Sequence, residues 1–365
     1  MSLDGATGYD AVSANTAPGA AVTDFSLYVQ FDPSASWWAA YEAAGSNPGK
    51  IRVARYDGAV EYARDVLVTP TADLVMLRVL WPGAQTGMPS LQVYPDATAV
   101  YGVSDTYGGY NAYDSYRVAD IPYAVNTADR TANANDAAAG VGDPVTQAAG
   151  GKLLGYRDFD GNDADAIPYD ASLALAGDFT IMAWINVPAN TLGQSLSGRG
   201  SSPRNWQVYI TTGGLFRLYV RDVSSNALAV DQNTAFGTGA WHHLACMRDA
   251  GSTGYIYYDG ANDTNGTPTD NASGDVHTDG DDAIIGERYE ANTTYCLTGG
   301  VCEFKVDATL RSPTWVNFEF TITNNPAGIW SDGGWTPVGG PAGHPAFARF
   351  ANVPFCHGYR GGRVA

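Results

Sequence analysis

Hydrophobic and polar residues alternate in many short stretches of the chain from residue 24 onward. The alternation is regular at residues 25–31, 50–56 and 179–187. A period of two places every second side chain on one face, so each stretch predicts a β-strand with a buried face. Asp-Gly pairs, as at 259–260, favour tight hairpin turns. Since such strands recur about every 8–12 residues, the pattern predicts an all-β protein of antiparallel β-sandwiches.

Changes in local composition along the sequence also predict how the chain is divided into domains. Strand patterns form two blocks, which are separated and flanked by segments rich in Gly, Ala, Asn, Asp and Pro. In chain order we predict a flexible N-terminal arm (1–20), a small β-sandwich (21–110), a connector (111–150), a larger sandwich of jelly-roll type (151–325) and a Gly/Pro-rich C-terminal extension (326–365). Short helices are predicted within 33–41 and 312–320.

The charge of the chain limits its partners. Twenty basic residues face 38 acidic ones, a formal net charge of −18. Nucleic acid is excluded as a partner because no cationic surface can displace its counterions, and anionic lipid is disfavoured for the same reason. The sequence contains no run of about 18 apolar residues, so it predicts no membrane-spanning segment.

The first residues show neither the basic nor the apolar segment of a secretory leader. An extracellular composition without a leader fits a mature fragment, another export route or release within a virus particle. The start at Met1 favours the last.

Four cysteines occur, and two of them lie close together in the sequence. Cys296 and Cys302 are separated by Leu-Thr-Gly-Gly-Val. A disulfide across a tight turn and a pair of buried free thiols both remain open. No Cys-x-x-Cys or Cys/His spacing is present, so we predict no structural zinc site.

Five segments of the second block resemble, in the correct order, the laminin-G-like, concanavalin A-like lectin/glucanase superfamily. These segments are residues 159–163, 178–185, 239–245, 255–260 and 300–306. The resemblance covers about 150–325 and implies a lectin-like sandwich. In the last segment Cys302 stands where the family usually has an aspartate, so any role of that aspartate is not carried over.

The first block resembles a small β-sandwich family of unknown function that often precedes such modules. The resemblance rests on residues 24–29, 50–58, 74–79 and 91–94. This tandem occurs in bacterial surface proteins and in phage structural proteins. It implies adhesion, binding of a receptor or glycan, or assembly.

Hydrolysis of glycans, which some superfamily members perform, is not predicted. A retaining mechanism needs two carboxylates about 5–5.5 Å apart. Glu287 and Glu290 form the only close glutamate pair, and they lie in a loop segment. His242 and His243 are adjacent on a predicted strand and therefore point to opposite faces, so they cannot share one site.

Aromatic and arginine side chains on two predicted strands are candidates for sugar binding. These are Trp206, Tyr209, Arg217, Tyr219 and Arg221. Calcium is the cofactor that the resemblance implies, because relatives often bind it at a loop edge and carboxylates are its preferred ligands. The candidate ligands are Asp160, Asp163, Asp279 and Asp281.

The sequence as a whole therefore predicts a non-enzymatic virion protein of a bacteriophage: a tail, fibre or capsid-decoration subunit. Its lectin-like domain would bind a host-surface glycan or receptor. We expect partners among other virion proteins and copies of the chain itself, a trimer being one such assembly. The alternatives are an exported bacterial adhesin or carbohydrate-binding protein and, third, a glycoside hydrolase.

Overall fold

A computed structural model describes residues 6–338 except 99, 124–125, 190–192, 201–204, 212, 223, 273–279 and 288–294. Strands account for 45% of the residues and helices for only 11%, which confirms the all-β prediction. The strands of the first 121 residues are β1 (Gly8–Ala14), β2 (Val22–Phe31), β3 (Ile51–Arg55), β4 (Glu61–Tyr62), β5 (Arg64–Val66), β6 (Val75–Gln85), β7 (Ser90–Pro95) and β8 (Arg117–Ile121).

The following strands belong mainly to the second sandwich. They are β9 (Ala138–Val141), β10 (Val145–Gln147), β11 (Tyr156–Asp160), β12 (Ala164–Ile167), β13 (Phe179–Asn186), β14 (Ser195–Arg199), β15 (Trp206–Ile210), β16 (Phe216–Arg221), β17 (Ala227–Asp231), β18 (His242–Asp249), β19 (Thr253–Tyr258), β20 (Ala261–Asn262), β21 (Ala283–Ile285), β22 (Thr298–Asp307) and β23 (Trp330–Pro337). Three 3-10 turns lie at Pro48–Lys50, Gly109–Ala112 and Ala171–Leu173.

Both predicted helices are present. The helices are α1 (Ala35–Ala43), α2 (Pro313–Asn324) and α3 (Pro326–Ile329). Ser34 and Ser312 cap α1 and α2, each accepting a hydrogen bond from a backbone N–H three residues on. Pro313 occupies the first turn of α2, where its missing N–H is not needed. Among the described residues, no helix combines the length and the apolar character that crossing a bilayer requires.

The N-terminal sandwich consists of a five-stranded and a three-stranded sheet. The strand orders are β23-β1-β7-β3-β4 and β2-β6-β5, with every pairing antiparallel. Their facing sides form one core that also takes in Trp37 and Tyr41 of α1. Trp37 anchors α1 there, because its Nε1 donates to the carbonyl of Val93 at 3.0 Å.

Both ends of the described chain belong to this sandwich, which differs from the predicted arm and extension. Residues 8–14 of the expected arm form β1, and residues 330–337 of the expected extension form β23, which pairs with β1 from Gly8↔Pro337 to Ala14↔Trp330. Small and polar residues made both segments look loose in sequence, but backbone pairing does not depend on side-chain type. Residues 1–5 and 339–365 lie outside the described residues.

The second sandwich packs an eight-stranded sheet against a seven-stranded one. The orders are β10-β11-β22-β13-β18-β19-β20, with β8 also on β22, and β17-β16-β15-β14-β21-β12-β9. Its core lies between these sheets. Within the expected connector 111–150, β8, β9 and β10 pair with strands of this sandwich. The predicted Asp259-Gly260 turn is present, with positive φ at both residues (48° and 76°).

The outer face of the eight-stranded sheet is covered by the N-terminal half. Met182, Ala245, Met247 and Tyr257 project from this face into the core of the N-terminal sandwich, together with apolar residues of α2. The residues that alternate with them along the strands, such as Ile181, face the core between the two sheets of the second sandwich. The two halves are therefore one packed body. On the seven-stranded sheet, by contrast, the outward side chains of β16 and β17 retain solvent exposure.

Candidate functional site

The partly exposed outer face of the seven-stranded sheet carries most of the predicted ligand-binding side chains. Antiparallel pairing sets Tyr209 of β15 opposite Arg217 of β16, and Gln207 opposite Tyr219. Arg217, Tyr219 and Arg221 alternate with buried residues along β16 and so share this face. Four of the five predicted residues are thus brought together on two adjacent strands, where rigid backbone fixes their spacing. We call this the outer-face cluster.

An ion pair orders one end of the cluster. The guanidinium of Arg217 donates to both carboxylate oxygens of Asp231 on β17, from Nε at 2.5 Å and from Nη2 at 2.7 Å. Its Nη1 lies 3.3 Å from the hydroxyl of Tyr209. The hydrogen bonds that Arg217 donates to Asp231 raise the pKa of Arg217 above its already high ordinary value, so the guanidinium stays charged. This fork leaves Arg217 partly exposed and fixed in orientation.

Buried amides underlie the other end. Gln207 is fully buried, and its Oε1 has no hydrogen-bond partner among the described residues, while its Nε2 donates weakly to Ser195 at 3.4 Å. Asn205, just before β15, is also fully buried, and within the same described set neither its Nδ2 nor its Oδ1 has a partner. Nε of Arg221 is likewise unsatisfied by any described residue. Buried polar atoms without partners are uncommon in folded proteins and need an explanation at each position.

Trp206 does not belong to the cluster, and its prediction as a ligand contact is wrong. Its side chain is fully buried between the two sheets. Trp206 and Tyr209 are three residues apart on one strand, an odd spacing that puts them on opposite faces. Gln207 and Asp231 were missed by sequence reasoning. Two features of the sequence could have indicated them. Gln207 lies two residues from Tyr209 and so shares its face of the strand, and Asp231 is an acidic residue on the predicted strand that follows the one with Arg217.

The predicted calcium ligands are used for other purposes where the structure describes them. Oδ1 of Asp163 accepts the backbone N–H of Asp160 at 3.0 Å, and Oδ1 of Asp160 accepts that of Asn162 at 2.8 Å. Both carboxylates thus stabilise the β11–β12 turn. The carbonyl of Asp281 accepts from Arg199 at 3.1 Å, and Asp279 lies outside the described residues. Within the described part of the chain, no group of three or more His, Cys, Asp or Glu side chains converges. A calcium site at these residues stays a prediction.

The two histidines take the opposite faces that the sequence predicts. His243 is buried against the ring of Trp184, 5.4 Å between centroids, and burial lowers its pKa to about 4. His242 points the other way, where Nδ1 lies 2.8 Å from Asp259 and the ring stacks on Tyr258. They therefore do not form a common site.

The glutamate pair and the cysteines offer no catalytic arrangement among the described residues. Glu287 is fully buried beside a cavity of about 90 Å³, below the ~300 Å³ of ordinary ligand sites, and Glu290 lies outside the described residues. Cys246, Cys296 and Cys302 are buried thiols that are not joined in disulfides. Of the two alternatives left open for Cys296 and Cys302, the structure contains the pair of thiols.

Comparison with known proteins gives one family match. Residues 159–317 match the model of the concanavalin A-like lectin/glucanases superfamily, a laminin-G-type domain. The match spans β12–β22 and ends within α2, so it includes all residues of the outer-face cluster. No curated protein sequence matches the chain.

Three solved structures are similar to part of the chain. The binding domain of Paraclostridial Mosquitocidal Protein 1 is 16% identical over 56% of this chain and 52% of that one, with a TM-score of 0.46. The receptor binding domain of botulinum neurotoxin C/D mosaic serotype is 10% identical over 56% and 51%, TM-score 0.46. Domain 4 of AbnA, a GH43 extracellular arabinanase from Geobacillus stearothermophilus, solved with arabinotriose, is 16% identical over 55% and 97%, TM-score 0.44. The chain thus spans about half the length of the two toxin domains.

Proposed function

We propose that this chain, in which residues 159–317 form a concanavalin A-like lectin domain, binds a glycan or glycan-bearing receptor through the outer-face cluster and does not hydrolyse it. One observation carries the proposal. The outward side of β15 and β16 gathers tyrosine and arginine side chains, with one arginine held by a bidentate ion pair. The other large sheet of this sandwich is buried under the N-terminal half, so this face is the accessible one.

The chemistry of the cluster suits a sugar. Tyrosine rings offer a flat apolar surface to the C–H face of a sugar ring, and their hydroxyls can donate or accept. Arg217 and Arg221 supply N–H donors for sugar oxygens.

Hydrolysis is disfavoured by the carboxylates. Along the strands of this face, Asp231 is the one outward acidic side chain, and both its oxygens are engaged by Arg217. Retaining and inverting glycosidases both require a pair of carboxyl groups, about 5–5.5 Å or 6.5–9.5 Å apart. A face with a single, ion-paired carboxylate supports binding rather than cleavage.

A glycan array with the purified full chain tests this proposal. Wild type should bind a defined glycan subset, whereas Tyr219→Ala and Arg217→Ala should reduce the signal about tenfold or more. Tyr56→Ala, which removes a tyrosine exposed in the N-terminal half, is the matched control and should bind as wild type. Unchanged binding by both cluster variants, or release of reducing sugar from a bound glycan, would overturn the proposal.

The setting of this binding is proposed from the tandem resemblance: a subunit on the surface of a phage particle, present in several copies and contacting other virion proteins. Mass spectrometry of gradient-purified particles should then find the chain at a stoichiometry of several copies. Its recovery only in the envelope or medium of uninfected bacteria would instead support the exported adhesin or carbohydrate-binding protein.

A further inference from the structure

A large cleft lies in the N-terminal half, at residues distant in sequence from the outer-face cluster. It has a volume of about 810 Å³ and opens between the N-terminal sandwich and the segments 104–117 and 131–133. Its size is within the ~300–1,000 Å³ of small-molecule sites. No predicted site residue lines it, so it is a separate feature of the molecule.

The wall formed by residues 104–113 is held firmly in place. The backbone N–H and Nη1 of Arg64 donate to the carbonyl of Tyr107 at 3.2 and 3.0 Å. The hydroxyl of Tyr113 donates to Asp65 at 3.0 Å. Gly109 packs so closely that an added Cβ would lie 3.1 Å from the Asp65 carboxylate. The cleft is therefore preformed, which lowers the entropy lost when a ligand binds.

The buried charges that line the cleft are already compensated within the protein. Glu61 is paired with Arg52 at 2.6 Å and Asp114 with Arg311 at 2.7 Å. Arg117 is paired with Asp307 at 2.5 Å and also with Asp120. A charged ligand would find no buried counter-ion free to meet it, and the net charge of −18 repels anions in particular. Asp24, the other charged side chain of the lining, is partly exposed, and its Oδ1 accepts the backbone N–H of Gly83 at 2.7 Å. The lining therefore disfavours anions and offers a neutral ligand mostly uncharged groups.

The rest of the lining supplies rings and uncharged polar groups. Four tyrosines contribute to it: Tyr62, Tyr107, Tyr110 and Tyr113. Exposed hydroxyl and amide side chains contribute as well: Ser104, Thr106, Asn111, Ser115 and Asn133. Tyrosine faces pack on sugar rings, while hydroxyl and amide groups both donate and accept hydrogen bonds.

We propose that this cleft is a binding site for a short neutral oligosaccharide, distinct from the outer-face cluster of the lectin domain. Tyr110, half-buried on the rim, provides a ring for stacking, and the neighbouring amides and hydroxyls bind the sugar hydroxyls. The chain then carries two saccharide sites, one in each half, which suits multivalent attachment to a glycan surface.

Saturation-transfer NMR and calorimetry on the full chain test the proposal with four probes: maltotetraose, cellotetraose, chitotetraose and the acidic tetragalacturonate. At least one neutral probe should bind more tightly than tetragalacturonate. Tyr110→Ala should weaken that binding about tenfold, the effect of losing one aromatic contact, and Tyr110→Phe should retain most of it. Ser104→Trp, which adds a bulky ring at an exposed lining position, should block it without touching the core.

The controls separate this site from the one proposed above. Tyr219→Ala, in the outer-face cluster, and Tyr56→Ala, exposed elsewhere, should leave the binding unchanged. Binding that survives both Tyr110→Ala and Ser104→Trp, or that is lost only in Tyr219→Ala, would overturn the cleft as a site. The absence of binding by every neutral probe, or tightest binding of tetragalacturonate, would overturn it as well.

Discussion

The guanidinium of Arg78 lies against the carboxylate of Glu303, and both side chains are almost wholly buried, at 1% and 2% exposure. Arg78 comes from β6 of the N-terminal sandwich, and Glu303 from β22 of the lectin domain. Lys305 extends the network, with Nζ 2.9 Å from Glu303 and 2.5 Å from Glu319 of α2. Glu303 lies at an irregularity of the β13–β22 pairing and has a φ of 55°. Such bulges re-aim a side chain, here toward the other half of the molecule.

Removing Arg78 should weaken the interface between the two halves of the molecule. Arg78→Ala leaves Glu303 and Glu319 with less positive charge in a buried setting, and we expect the free energy of unfolding to fall by about 3–5 kcal/mol. Urea denaturation followed by tryptophan fluorescence measures this. Arg55→Ala breaks the exposed pair with Asp57 and should cost less than ~1 kcal/mol. Equal effects of the two variants would contradict the structural role of the buried network.

His243 should make the protein less stable in mild acid. Burial lowers its pKa to about 4 in the folded chain, against 6.5 when it is exposed. The unfolded chain therefore takes up a proton as the pH falls below 6.5, while the folded chain does not until about pH 4, so this contribution to stability decreases across that interval. Between pH 7.5 and 5, wild type should lose ~2 kcal/mol more than His243→Gln. If wild type and His243→Gln showed the same dependence of unfolding free energy on pH, the proposed contribution of His243 would be contradicted.

Trp206 and Tyr209 should separate stability from binding. Trp206→Ala opens a cavity between the two sheets and should destabilise the protein by about 3–5 kcal/mol. Tyr209→Ala removes a partly exposed ring and should change stability by less than ~1 kcal/mol, while weakening glycan binding. Denaturant unfolding and the glycan array measure the two effects. A stable Trp206→Ala variant that loses binding would place Trp206 in the site after all.

Trp330 should prove important for the N-terminal sandwich although it lies near the other end of the chain. Its ring is buried, and Nε1 donates to the carbonyl of Tyr28 at 2.7 Å. Trp330→Ala should cost about 3–5 kcal/mol, whereas Trp330→Phe keeps much of the packing and loses the hydrogen bond, about 1 kcal/mol plus a smaller packing loss. Thermal unfolding ranks the variants. Wild-type stability in Trp330→Ala would mean that β23 does not hold β1.

The buried thiols should be inert in the native protein. Burial raises the pKa of Cys296 and of Cys302 to about 12 and that of Cys246 higher still. In a Cys356→Ser variant, a thiol reagent at pH 8 should label these three only after unfolding, because the thiolate is the reactive form. Mass spectrometry of the alkylated, unreduced protein should count three thiols. Rapid labelling of the native protein, or the loss of two hydrogens that a disulfide causes, would contradict the buried pair of thiols.

The sequence by itself determined most of the local structure. Alternation placed strands such as β13 and β18, Ser312 and Pro313 started α2, and Asp259-Gly260 made the β19–β20 turn. These features depend on a residue and its near neighbours. Parity likewise set Arg217, Tyr219 and Arg221 on one face of β16, and it contained the information that Trp206 and Tyr209 face opposite ways.

Only the tertiary structure decided what each face and each edge meets. The pairing of β1 with β23 joins residues more than 300 positions apart, and no local pattern names so distant a partner. The outward residues of β13 and β18, such as Met182 and Ala245, are buried because α2 and the N-terminal sandwich cover them, while the outward face of β16 stays partly exposed. Alternation shows which residues share a face. What covers that face depends on how the sheets pack, and this packing leaves the outer-face cluster accessible.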